Sequence, residues 1–173
     1  MLPEIAGETI TLTSTVNGQQ VTLAVEPRTI LLDLLRDRLG LTGAKRSCDS
    51  QVCGACTVLL NGAPVSACST LACEAAGGTI ETIEGLAGPG GLHPIQQAFV
   101  DRAAIQCGFC TPGFVLTTKA LLAENARPTR AEIAHFLGGN LCRCTGYWNI
   151  LAAVEDAAER LASIPAATVE EES

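Results

Sequence analysis

The sequence predicts an α+β protein built from two unlike halves, on three observations. Residues 1–84 carry period-two alternation interrupted by two Asn-Gly dipeptides, whereas residues 93–162 carry helical periodicity with capping signals. Between them, residues 85–92 are dense in glycine and proline, which breaks both periods and marks a boundary. Residues 163–173 form an acidic tail whose Glu170, Glu171 and Glu172 are expected to be solvated. The chain has 173 residues, enough for one domain or two small ones. Hydrophobic residues make up 47% of it but aromatics only 3%, so the cores must be aliphatic.

Each element has its own signal. Ile10 and Leu12 alternate with threonines, and Val21, Leu23 and Val25 alternate after Asn17-Gly18. That dipeptide suits a type I′ hairpin turn because both of its positions need positive φ. Ile30, Leu31, Leu34, Leu35 and Leu39 recur at helical spacing before Gly40, a stop signal. Residues 56–68 offer a strand, a second Asn-Gly turn at Asn61-Gly62 and a short return, and residues 78–85 offer a last strand. In the second half, Pro94 suits the first turn of one helix. Thr111 and Pro112 can serve as N-cap and first residue of the next. Thr129 and Glu132 have capping-box spacing for a third helix, expected to end at Gly138. Residues 148–162 make a fourth. Four helices with short connections suggest a small bundle.

Charge and composition exclude several functions. A net charge of −7 argues against nucleic-acid and anionic-membrane partners. No apolar run approaches the roughly 18 residues of a membrane span. The first twenty residues have neither the basic nor the apolar region of a secretion signal, so a cytoplasmic, reducing setting is expected. There is no GxGxxG fingerprint, Walker loop or GxSxG elbow. The two histidines, His93 and His135, fit no shared metal motif, and neither is a candidate for catalysis.

Nine cysteines then need a reason. In a reducing compartment cysteine spacing points to metal before disulfide, and an odd count leaves one thiol unpaired in any disulfide scheme. Cys48, Cys53 and Cys56 follow the C-x4-C-x2-C spacing of a plant-type [2Fe–2S] loop, and Cys68 supplies a fourth thiolate. Three ligands from one loop suit a zinc site poorly, since structural zinc takes two knuckles of two ligands each. Gly54 and Ala55 are expected to keep bulk away from the inorganic sulfurs. Cys107-x2-Cys110 and Cys142-x1-Cys144 form a second four-thiol set, which by spacing alone could hold zinc or an iron–sulfur cluster. Cys110 and Cys144 each precede an expected helix start, near Thr111 and Gly146, where the helix dipole favours a thiolate. Cys73 reads as a small buried residue on a helix.

The stretches CDSQVCGAC, QCGFCTPG and GNLCRCTGY, in this order, resemble the small iron–sulfur subunit of the molybdenum hydroxylases, the family of xanthine dehydrogenase, aldehyde oxidoreductase and carbon monoxide dehydrogenase. The resemblance covers residues 8–162. It implies a plant-ferredoxin-like β-grasp domain followed by a four-helix-bundle domain, each holding one [2Fe–2S] cluster. It implies an oxidoreductase subunit that passes electrons but performs no substrate chemistry itself. A large partner subunit would hold the molybdopterin cofactor and a medium subunit FAD. Gln106 and Cys144 would lie against the pterin, and electrons would cross the second cluster before the first. A free-standing two-cluster ferredoxin is the alternative, and a zinc-stabilised interaction module a third reading. Ser47 and Gln51 stand where the family leads one to expect glycine. A single-polypeptide relative would continue past residue 173 into flavin and molybdenum domains, so here those are expected on separate chains.

Overall fold

Residues 8–164 are described by the computed structural model, and in them the alternating pattern of the first half becomes a mixed five-stranded sheet. Strands β1 (Ile10–Val16) and β2 (Gln19–Val25) pair antiparallel with Leu12 opposite Leu23. Asn17 and Gly18 both sit at positive φ, 49° and 77°, as a type I′ turn requires. Strands β3 (Thr57–Leu60) and β4 (Ala63–Ser66) form a second hairpin, whose Asn61 and Gly62 repeat that geometry at 52° and 82°. Strand β5 (Thr79–Glu81) joins the hairpins, parallel to β1 and antiparallel to β3, giving the order β2-β1-β5-β3-β4.

The helix expected near residue 30 forms as one α-helical turn, α1 (Leu31–Asp33), continued by a π-helical stretch, Leu34–Arg38. The looser winding lets Leu31, Leu32, Leu34 and Leu35 all turn into the core beneath the sheet, with Val16, Val25, Val58 and Ile80. Gly40 follows at φ +70°, in the left-handed region where a helix stops most easily on glycine. Arg36 holds the next turn by donating to the carbonyls of Thr42 and Ala44.

The second half contains α2 (Pro94–Asp101), α3 (Thr111–Glu124), α4 (Arg130–Phe136) and α5 (Trp148–Ser163). Pro94 opens α2, where His93 caps the helix by accepting the Ile95 amide on Nδ1. Thr129 and Glu132 form the expected capping box, but α4 ends at Phe136 and a 3₁₀ turn, Leu137–Gly139, carries the chain onward. Helix α3 starts one residue earlier than its threonine suggests: Cys110 is the N-cap and Thr111 the first helical residue. Its buried residues lie on every side, among them Phe114, Val115, Leu116, Ala120 and Leu121. A helix apolar all round must be central. One side of α3 packs with α2, α4 and α5, and Leu116 and Ala120 on the other pack on Leu59 of β3. Strand β3 is thus covered on both faces, Val58 entering the sheet's own core while its neighbour Leu59 meets α3.

The glycine- and proline-rich segment is held at its start. The Asn17 side chain accepts the Thr82 amide at 2.8 Å and donates to the Thr82 hydroxyl at 2.9 Å. Leu86 is buried in the helical core, and Gly88 and Gly91 bridge each other's backbone. Among the described residues no helix is long and apolar enough to cross a membrane.

Helices α2 and α5 are tied by a charge network around Asp156, which accepts from Arg102 at 3.0 Å and from Arg160 at 2.8 Å, while Arg160 also meets Asp101 at 2.7 Å. The Arg160 guanidinium, against the opposing effect of burial, holds the Asp156 carboxyl below its ordinary pKa, with Arg102 assisting. A carboxyl depressed in the folded state contributes stability above its unfolded pKa and loses it as pH falls through the folded value. Asp156→Asn is therefore expected to cost about 2 kcal/mol at pH 7, the scale of a charged hydrogen bond. The difference from wild type should shrink below about pH 4. Thermal unfolding across that range checks it.

Candidate metal centres

The first cysteine set is a tight loop closed by the sheet. Cys48 and Cys53 are half-buried in the loop, Cys56 lies buried just before β3 and Cys68 is buried just after β4, so the β3–β4 hairpin returns Cys68 to Cys56. The two buried thiols are in contact, and the Ala67 amide meets the Cys56 carbonyl at 3.4 Å. Burial, with the thiols of Cys68 and Cys53 adding to it, pushes the Cys56 thiol up to about 11. Cys48 moves the other way. The Ser50 amide, the Ser50 hydroxyl and the amides of Val52 and Cys53 gather on its sulfur and bring its thiol down to about 6. Such a ring of donors suits a thiolate within an anionic cluster.

The loop turns through left-handed residues at Asp49, Gln51 and Gly54, with φ of 55°, 61° and 67°. The expectation of glycine at residue 51 thus has a physical basis: Gln51 sits where glycine is unstrained, whereas Ser47 is not at positive φ. Gly54 has a task that its sequence context does not suggest. A Cβ there would overlap the Asn140 side chain and the Gly139 carbonyl, so the residue makes room for the other half of the protein.

The second set draws Cys107 and Cys110 from the turn before α3 and Cys142 and Cys144 from the turn before α5. The Cys107 and Cys144 sulfurs are 3.6 Å apart, and the Cys110 thiol lies against Cys142. Burial, reinforced by Cys142 and Cys107, pushes Cys110 up to about 12. Burial also pushes Cys142 upward, but the Thr145 hydroxyl at 3.2 Å and the Thr145 amide at 3.4 Å outweigh it and lower that thiol. The Cys107 thiol raises that of Cys144. Cys107 and Cys144 are exposed, while Cys142 is buried and Cys110 partly so. Cys144 does not adjoin a helix start, because α5 begins only at Trp148, after Tyr147 at φ +67°. Tyr147 instead accepts the Cys142 amide on its hydroxyl, at 3.0 Å.

The structure thus brings the Cys56 thiol to Cys68 in the first set, and Cys107 to Cys144 and Cys110 to Cys142 in the second. Among the described residues no three potential ligands converge on one point, and the second set's thiols meet two by two. Two thiolates per iron is what a four-cysteine [2Fe–2S] cluster asks of its ligands, so the donors fit that group. Cys73 stands apart: it is only partly buried, on a 3₁₀ turn, with its thiol 3.9 Å from the Pro27 carbonyl. Gln106 is exposed beside Cys107. His135 is exposed on α4.

Sequence reasoning passed over Asn140. Its Nδ2 donates to the Gly54 carbonyl at 3.1 Å and its Oδ1 accepts from the Thr117 hydroxyl at 3.0 Å. The next residue, Leu141, donates its amide to the Cys53 carbonyl at 2.9 Å. An asparagine at a metal loop carries no composition or periodicity signal; only its place immediately before Leu141 and Cys142 could have drawn attention.

Comparison with known proteins agrees with this geometry. Residues 14–77 match the 2Fe-2S iron-sulfur cluster binding domain family and residues 82–155 match the [2Fe-2S] binding domain family. The chain is 50% identical to the nicotinate dehydrogenase small FeS subunit of Eubacterium barkeri, over 89% of this chain and 98% of that one. It is 46% identical to the aldehyde oxidoreductase iron-sulfur-binding subunit PaoA of Escherichia coli, over 91% and 76%. Its fold superposes on quinoline 2-oxidoreductase from Pseudomonas putida with a TM-score of 0.85 at 44% identity, covering 90% of this chain and 99% of that one. The aldehyde oxidoreductase of Desulfovibrio desulfuricans gives the same TM-score, with only 17% of its longer chain covered.

Relief of the left-handed strain at residue 51 gives a test of the loop. Gln51→Gly is expected to raise the stability of the first half by about 1 kcal/mol, the scale of the left-handed penalty for a residue with a Cβ. Thermal unfolding of the holoprotein reads it, and a loss of stability would contradict the account.

Proposed function

The chain belongs to the family of small [2Fe–2S] subunits of the molybdenum hydroxylases, and from that premise we propose that it relays electrons from a molybdopterin site on a large partner subunit towards FAD on a medium one. Cys48, Cys53, Cys56 and Cys68 hold the first cluster, in a β-grasp domain spanning residues 1–84. Cys107, Cys110, Cys142 and Cys144 hold the second, in a four-helix-bundle domain spanning residues 93–162. Residues 85–92 join the two domains. The molybdopterin cofactor, bound by the partner, would supply the substrate oxidation with oxygen taken from water.

One observation carries the direction of flow: the second set is two-faced. Its Cys107 and Cys144 edge is open to the surface, and its Cys142 side is bonded through Leu141 to the first loop. The exposed edge is where an external donor can approach, so Gln106 and Cys144 are assigned to contact the pterin. Phe109, Leu141 and Trp148 are exposed among and just beyond these ligands. Large apolar side chains at that density favour a protein partner over open solvent. The thiolate ligands and the family's redox role both suit a cytoplasmic setting.

The test uses the full chain purified through a tag from its own host. It is expected to bring with it a molybdenum-containing large chain and a flavin-containing chain, while the isolated chain turns over no substrate. A coloured iron–sulfur protein that always runs alone would favour the free-standing ferredoxin. Cys53→Ser should abolish the first cluster's EPR signal and Cys110→Ser the second's, each lowering the melting temperature of its own half.

A further inference from the structure

We propose that Thr145 is a positioning residue of the second metal centre: by donating its hydroxyl to the Cys142 sulfur it acts through that ligand to raise the potential at which the centre accepts an electron. The proposal deepens the relay function above and rests on it. A reduced [2Fe–2S] centre carries one more negative charge than an oxidised one, and its ligand sulfurs share that charge. A donor on a ligand sulfur therefore stabilises the reduced form more than the oxidised form. The step balances simply. One electron enters from the cofactor of the large partner subunit, one iron goes from ferric to ferrous, the four thiolates stay bound, and Thr145 keeps its proton.

The loop around Cys142 is arranged to aim that hydroxyl. Thr145 Oγ1 lies 3.2 Å from the Cys142 sulfur, and the Thr145 amide donates to the same sulfur at 3.4 Å. Tyr147 sets the polarity, because its amide donates to Thr145 Oγ1 at 3.2 Å. With an amide hydrogen on one side of the oxygen, the hydroxyl proton turns to the sulfur. A hydroxyl that accepts one bond also donates the next more strongly. Tyr147 holds this place against backbone strain, at φ +67°, where a bulky residue is disfavoured. It is fixed there by its phenol oxygen, which accepts the Cys142 amide at 3.0 Å, and by its ring, edge-on to Phe114 with centroids 6.2 Å apart. Strain that the surroundings keep in place marks a loop shaped for this arrangement. Cys142 is buried within the helical core, so water competes little for its sulfur. Cys107 and Cys144 are exposed, and among the described residues neither they nor Cys110 accept from a hydroxyl. One ligand of the four is singled out.

The test is a potentiometric titration of the full holoprotein with redox mediators, read by EPR, which gives the midpoints of both centres. The first centre serves as the internal reference. Thr145→Val is expected to lower the ratio of reduced to oxidised second centre about tenfold at a fixed applied potential, a shift of about 59 mV for a one-electron couple. The first midpoint should not move. Thr145→Ser keeps the hydroxyl and should restore the wild-type midpoint. Tyr147→Phe removes a neighbouring bond but leaves both donors on the Cys142 sulfur, so it should not lower the midpoint. An unmoved midpoint in Thr145→Val, or an equal fall in Tyr147→Phe, would overturn the proposal. If Thr145→Val fails to load its iron, the wild type decides. Proton ENDOR on the reduced second signal should then show a coupling that vanishes within seconds of transfer to deuterated water, faster than a buried amide exchanges; no such coupling would also overturn it. A wild type without two [2Fe–2S] signals would sink the relay reading itself, whereas two such signals with unmoved midpoints would sink only the role of Thr145.

Discussion

The structure depends most on the hydrogen-bonded junction between its two cysteine loops. Leu141 and Asn140 fasten the second loop onto the Cys53 and Gly54 carbonyls, and much nearby sequence is explained by what that fastening needs. It needs glycine at 54 and 113 so that two backbones can approach. It also needs a hydroxyl at Thr117, because a buried amide oxygen without a donor is costly. The apolar contact of Leu59 with Leu116 and Ala120 packs the sheet onto α3 beside these polar bonds. Buried polar groups of this kind are stabilising only when all are satisfied, and here they are.

The same junction links folding to metal binding. Each half has a small core of its own, one beneath the sheet and one around α3, and domains of that size have little stability to spare. Cys56 and Cys68 belong to the first core and Cys142 to the second, so ligation at these residues would couple directly to the packing of each half. Cys68 closes the β3–β4 hairpin onto the first loop, and Cys142 and Cys144 bring the turn before α5 to the turn before α3. Burial that raises the thiols of Cys56 and Cys110 opposes ionisation in the metal-free chain, so ligation there must release protons. The gathered amides around Cys48 work in the opposite sense and favour its thiolate before metal arrives.

Local chemistry made much of this legible in the sequence. Asn17-Gly18 and Asn61-Gly62 announced their turns because few other dipeptides tolerate two positive φ angles. Thr129 and Glu132 announced a helix start because two backbone amides need those side chains. Cysteine spacing announced that Cys107 and Cys110 would meet Cys142 and Cys144, because loop length limits which thiols can meet. What stayed hidden was set by tertiary contact. The π-helical winding at Leu34–Arg38 follows from four leucines sharing one core, which periodicity reads as an ordinary helix. Gly54 reads as a spacer in a metal loop, and its reason lies 86 residues away in Asn140. The start of α3 shifted onto Cys110 because a residue's capping role depends on geometry that threonine and proline signals only approximate.

The central claim is that eight of the nine thiols hold two [2Fe–2S] clusters. It is tested most directly by measuring iron, acid-labile sulfide and zinc per chain in the native holoprotein, with an EPR spectrum after dithionite reduction. The account predicts about four irons and four sulfides per chain and two distinguishable signals. Zinc without sulfide, in a colourless protein, would contradict it and leave the cysteines as anchors of the fold.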